Sequence, residues 1–185
     1  MKKIFLILTL FCICLANSNE AFALPIQWST NQHWYEVVSS STSAFTWSTA
    51  NQNANASSYI GLQGHLATIT SADENQLIKT LSPGMAFFGG YKNNLGAWSW
   101  VTGENWVYTN WNQDGNGFEP SGDGPAIEYW GWKPSGTWND VSTSLTRNEY
   151  IVEYEQAPAA TPEPATMALL GMGLLGLFGF KKRIS

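Results

Sequence analysis

Two stretches in the second half of the chain carry the residue types that hold hard cations. Residues 109–125 contain Asp114, Glu119, Ser121 and Asp123, residues 131–146 contain Asn139 and Asp140, and Glu128 stands between them on an apolar segment. Calcium takes about six to eight oxygens from carboxylates, amides and carbonyls, which is what such a set offers. Spacing alone leaves two readings open. The run Trp138-Asn139-Asp140 is half of a metal site or an ordinary polar turn after a buried aromatic, since Asn-Asp pairs readily form turns. Glu119 precedes Pro120, and a cis bond there would let neighbouring side chains converge. The same carboxylates, Glu119 with Asp123 or Asp140, would serve a glycosidase only if one were an acid held in an apolar pocket. These loops are open and polar, so the chain reads as a binder and not an enzyme.

The elements that must position these loops are legible in outline. Gln27 to Val38 is rich in aromatic and β-branched residues and reads as a strand. Phe45, Trp47, Ala50 and Ala54 recur at helical spacing, which predicts an amphipathic helix over Ala44 to Ala56. Gly61 to Ile69 returns to an extended segment. Ser71-Ala72-Asp73-Glu74 is a capping box, in which Ser71 accepts from the N3 amide and Glu74 reaches back to the cap. Leu77, Ile78 and Leu81 supply that second helix with its buried stripe, and Pro83-Gly84 stops it. Strands are predicted at Ala86–Tyr91, Ala97–Val101, Ala126–Trp130 and Glu149–Tyr154, with Trp98 and Trp100 on one face. The long connections between them, 109–125 and 131–146, hold tryptophans and carboxylates, which favours a functional role.

Both ends of the chain read as addresses. Met1, Lys2 and Lys3 precede an apolar run from Ile4 to Ala16, and Ala21-Phe22-Ala23 has the small-x-small pattern of a signal peptidase site, so residues 1–23 read as a secretory signal peptide. At the other end Pro162-Glu163-Pro164 precedes an uncharged run from Ala165 to Phe180 and then Lys181-Lys182-Arg183. That run would reach about 24 Å as a helix against a hydrocarbon core of roughly 30 Å, enough for a thin or compressed bilayer, with the basic cluster held on the cytoplasmic side. The order of these parts resembles the PEP-CTERM sorting signal of Gram-negative bacteria. The resemblance implies processing by the membrane protease exosortase at Pro162, Glu163 and Pro164, and a product linked to exopolysaccharide and biofilm. Residues 162–185 are the sorting signal in this reading, and 157–161 an Ala/Pro-rich linker.

Cys12 and Cys14 are the only cysteines and lie in the signal peptide, so disulfides do not hold the exported part together. Residues 24–161 keep four basic and twelve acidic side chains, a formal balance of −8, which argues against nucleic acid or anionic membrane surfaces as partners and suits cations or neutral ligands. All ten tryptophans fall between Trp28 and Trp138.

Taken in order, the first helix, "GLQGHLATITSADENQLI", "FFGGY", "WSWVTGENWVYTNWN", "EPSGDG", "TWND" and "YIVEY" resemble a C-type lectin-like domain over residues 24–156. The resemblance implies an α+β fold in which two helices flank a small antiparallel sheet and a long loop region carries the ligand site. It also implies roles. Glu119 and Pro120 match the start of the family's Glu-Pro-Asn motif, and Asn139 and Asp140 match its Trp-Asn-Asp motif. In calcium-dependent lectins those side chains hold one Ca2+, whose shell vicinal sugar hydroxyls complete. Ligation here would come from Glu119, Ser121, Asp123, Asn139 and Asp140, with Glu128 as the alternative to Asp123. Glu119, Asn139 and Asp140 would also contact the glycan, with Trp132 stacking on it. Ser121 departs from the pattern, putting a short hydroxyl where the family has an amide. The family's disulfides are absent, and packing by Trp106, Trp111, Trp130 and Trp132 is expected to replace them. His33 and His65 read as structural. The expected function is an exported carbohydrate-binding protein of the envelope or exopolysaccharide matrix. The alternative is a metal-independent protein-binding or structural matrix protein on the same fold.

Overall fold

The computed structural model describes residues 24–115, 117–131 and 136–156. The signal-peptide region, the linker, Pro162-Glu163-Pro164 with its apolar run, and Trp132 lie outside the described residues. In chain order the elements are β1 (Ile26–Gln27), β2 (Trp34–Ser39), β3 (Phe45–Thr46), α1 (Trp47–Ala56), β4 (Ser58–Tyr59) and β5 (Leu62–Leu66). They continue with α2 (Ala72–Leu81), β6 (Ala86–Lys92), β7 (Trp98–Trp100), β8 (Gln113–Asp114) and β9 (Gly117–Phe118). The last four are β10 (Ala126–Tyr129), β11 (Trp138–Val141), β12 (Thr146–Arg147) and β13 (Glu149–Glu155). Two helices flank antiparallel sheet, the α+β arrangement expected.

The final strand organises the fold. β13 pairs with β2 along one edge and β5 along the other, and its start runs parallel to β6. From β6 the sheet continues through β10 to β11, carrying the upper loops. The expected first helix begins later than its periodicity predicts. Phe45 and Thr46 form a ladder with β12, and the Thr46 hydroxyl caps α1 by accepting from the Thr49 amide. The second cap is half as expected. Ser71 accepts from the Glu74 amide at 3.2 Å, but the Glu74 carboxylate passes the cap and takes the amide and hydroxyl of Thr70, at 2.7 and 2.9 Å, and the Tyr35 hydroxyl.

Trp138 is the pivot of the upper half. It is fully buried, and its ring meets those of Phe88, Trp100, Trp106, Tyr108 and Trp111 at centroid distances of 5.3 to 6.0 Å. Its indole N–H donates to Asn75 Oδ1 at 2.8 Å, tying β11 to α2. Such aromatic pairs contribute about 0.5–1.5 kcal/mol each beyond simple burial. Trp98, Trp106 and Trp111 pack against this cluster, the role expected for Trp106 and Trp111 in a domain without disulfides.

Candidate functional site

The run Trp138-Asn139-Asp140 is a strand and not a turn. β11 pairs antiparallel with β10, Ile127 opposite Asp140 and Glu128 opposite Asn139. Strand side chains alternate between faces, so Asn139 and Asp140 point to opposite sides of the ribbon. The residues gathered by sequence reasoning therefore fall into two separate groups.

Asp140 faces the 119–124 loop and is fully buried. Its Oδ1 accepts from the Ser121 amide at 2.6 Å and the Ser121 hydroxyl at 3.2 Å, and its Oδ2 from the amides of Gly122 and Gly124 at 3.0 and 3.2 Å. The loop is shaped for this contact. Gly122 sits at φ +94°, and a Cβ on Gly124 would lie 2.2 Å from the carbonyl oxygen of Val141. Glu119, whose bond to Pro120 is cis, accepts from the same Ser121 amide at 2.8 Å and shares a hydrogen bond with Asp140. Burial, and then the contact with Asp140, raise the Glu119 pKa. Burial works against the Asp140 charge, yet the bonds from Glu119 and from the Gly124 and Ser121 amides outweigh it and hold its pKa below the usual range. Asp123 stands exposed between the two glycines that serve Asp140.

Glu128 lies on the other face, nearly fully buried. Arg147 grips it with a two-pronged fork, Nε to Oε2 at 2.5 Å and Nη2 to Oε1 at 2.8 Å, and Asn139 Nδ2 donates to Oε1 at 3.2 Å. A cavity of about 110 Å³ opens beside them, walled by Met85, Trp130 and Gly131. Sequence reasoning missed Arg147. The available signal was that it is the only arginine in residues 24–161.

This donor set does not fit calcium as arranged. The carboxylates of Asp140 and Glu128 are occupied by N–H donors, Glu119 accepts from the Ser121 amide, and Asn139 is turned away from Asp140. A hard dication needs converging oxygens free to coordinate it, and here a guanidinium neutralises one carboxylate and backbone amides occupy the oxygens of another.

Comparison with known proteins agrees with the fold. The Lectin C-type domain family model matches residues 56–151, and the PEP-CTERM protein-sorting motif matches residues 160–183. Halomucin from Haloquadratum walsbyi is 37% identical over 143 residues, which are 68% of this chain and 2% of that protein. A type-2 ice-structuring protein from Brachyopsis segaliensis is 33% identical over 95 residues, 51% of this chain and 52% of that one, so this chain spans about half or less of these relatives. Among solved structures, the C-type lectin CEL-I from Cucumaria echinata superposes with a TM-score of 0.54 at 21% identity, covering 66% of this chain and 90% of that one. The sorting motif indicates export and sorting to the cell envelope. The matched domain takes up just over half of the chain, and the protein belongs to the C-type lectin domain family.

Proposed function

We propose that this protein is an exported lectin-like module that binds carbohydrate without calcium, at the pocket of Glu128, Asn139 and Arg147. The observation that carries this reading is the Arg147–Glu128 fork beside a cavity walled by Met85 and Trp130. Asn139 Oδ1 and the guanidinium hydrogens not engaged by Glu128 or Thr146 offer an acceptor and donors, respectively, to a pair of hydroxyls, while the apolar wall suits the C–H face of a sugar ring. Export begins at the signal peptide, cut by signal peptidase after Ala23. Exosortase then processes the Pro162-Glu163-Pro164 motif, before which the apolar C-terminal segment holds the chain at the membrane. The product acts by binding exopolysaccharide of a Gram-negative envelope or biofilm matrix. This reading gives it no catalytic role: Glu119 and Asp140, one of the two glycosidase pairs the sequence offers, are held by hydrogen bonds within the loop.

The test is a glycan array followed by calorimetry on the full chain, in chelator and in calcium. Binding is expected to persist in chelator and to fall at least tenfold in Arg147→Ala and Asn139→Ala. Binding that appears only with calcium, or that survives both substitutions, overturns the reading. The second reading, a protein-binding or structural matrix component, draws support from the exposed side chains of Leu95, Val107 and Phe118. An array with no bound glycan favours it.

A further inference from the structure

A second cavity, of about 380 Å³, opens over the face that β2 and β13 share. The register sets Val38 opposite Tyr150, Glu36 opposite Val152 and Trp34 opposite Tyr154, so these side chains stand on one face of the sheet. Tyr59 on β4, with Ser57 and Ser58 before it, completes the wall. Its ring is held between neighbours, with centroids 5.1 Å from that of Trp34 and 5.8 Å from that of Tyr154. The cavity shares no residue with the pocket of Glu128, Asn139 and Arg147.

Glu36 is the one charged side chain in this lining, half-buried beside the rings of Tyr59, Tyr150 and Tyr154. Its Oε2 accepts from the Tyr154 hydroxyl. Burial, and then this bond to Glu36, push the Tyr154 pKa up to about 12, so the hydroxyl keeps its proton and donates it. Among the described residues nothing donates to Oε1, and every basic side chain is engaged elsewhere. Lys79 holds the carbonyls of Pro83 and Gly84, Lys92 lies over Trp98, and Arg147 grips Glu128. His33 and His65 pair with Glu153 and Glu155. Glu36 is thus a carboxylate with no counterion from the described chain and one oxygen to spare for a donor.

We infer that this cavity binds a cationic amino sugar, a hexosamine whose amine is not acetylated, with Glu36 taking the ammonium and the tyrosine rings the C–H face of the sugar. The ammonium brings both the N–H donor and the charge that Glu36 lacks, and tyrosine rings favour a nearby cation. A quaternary ammonium has no N–H to give. A plain alkylammonium would leave the polar rim unused, where Ser58 is exposed and the Ser57 hydroxyl, donating to the Ala54 carbonyl at 2.7 Å, keeps its lone pairs. A polyhydroxylated ring meets those groups. The volume lies in the range of small-ligand sites, roughly 300–1,000 Å³. The formal balance of −8 over residues 24–161 draws cations and not anionic saccharides. The inference does not rest on the carbohydrate reading of the Glu128 pocket.

The experiment is titration of the full chain, in chelator, with a fully deacetylated glucosamine trimer, its N-acetylated counterpart and a trilysine peptide, followed by calorimetry and tyrosine-ring NMR. The glucosamine trimer is expected to shift the ring signals of Tyr59, Tyr150 and Tyr154 and to bind at least tenfold more tightly than either of the other two. Glu36→Gln, which keeps an acceptor for the Tyr154 hydroxyl, should weaken the trimer at least tenfold, as should Tyr59→Ala. Arg147→Ala should leave it unchanged, which separates this cavity from the Glu128 pocket. The NMR arm uses the unsubstituted chain, so a variant that fails to fold does not decide the outcome. Absence of shifts in those rings, equal binding of the N-acetylated trimer or of trilysine, or undiminished binding in folded Glu36→Gln sinks the proposal.

Discussion

The loop end and the opposite edge of the sheet both bury carboxylates but satisfy them with different donors. At the loop, Asp140 and Glu128 have their oxygens filled by amides and by a guanidinium, although their sequence context promises a cation. At the β2–β13–β5 edge, the imidazoles of His33 and His65 pair with Glu153 and Glu155, although the sequence there promises nothing. The number of acidic groups does not make a metal site; which donor the neighbouring strands bring to each carboxylate decides what it does.

The largest test of that contrast is Asp140→Ala. It strands the amides of Ser121, Gly122 and Gly124 and should cost about 3–5 kcal/mol of stability in urea denaturation, with or without calcium. A smaller loss that calcium restores would show the loop to be a metal site after all. Next is Arg147→Ala, which leaves Glu128 buried without its counterion and should cost about 3 kcal/mol. Pairing Arg147→Met with Glu128→Leu should recover most of that stability but not saccharide binding. At the other edge, the hydrogen bond to Glu153 raises the pKa of His33, so stability in urea denaturation should fall as the pH rises through the neutral range, a dependence that His33→Ala weakens. Asn139→Ala should change stability by about 1 kcal/mol or less while weakening the saccharide. The smallest expected effect is that of calcium itself, which should leave the melting temperature of the metal-stripped chain where it was.

Much of the scaffold was legible along the chain. Ser71 marks the start of α2, Pro83-Gly84 follows its end, and the strands at Ala86 and Glu149 begin where predicted. The helix predicted from Ala44 starts too early because Phe45 falls on the helical periodicity yet, with Thr46, pairs with β12, a partner about a hundred residues away in sequence. β11 was hidden for a related reason. Asn and Asp are poor strand formers, and the burial of Trp138 among five aromatic rings overrides that preference. Once the segment is a strand, alternation separates Asn139 from Asp140, and the single site read from motif order becomes two.

By itself, then, the sequence determined the family, the sorting motif at the C-terminus and the helices and strands that carry their own caps and periodicity, because each is written in neighbouring residues. Only the tertiary structure decided what the charged and polar groups do. Whether Glu128 meets a cation or Arg147, and whether His33 and His65 stand alone or face Glu155, depends on which strands lie side by side. Hydrogen bonding and ligation act over about 3 Å, and it is strand register, set by burial of the aromatic core, that brings residues tens to more than a hundred positions apart within that reach.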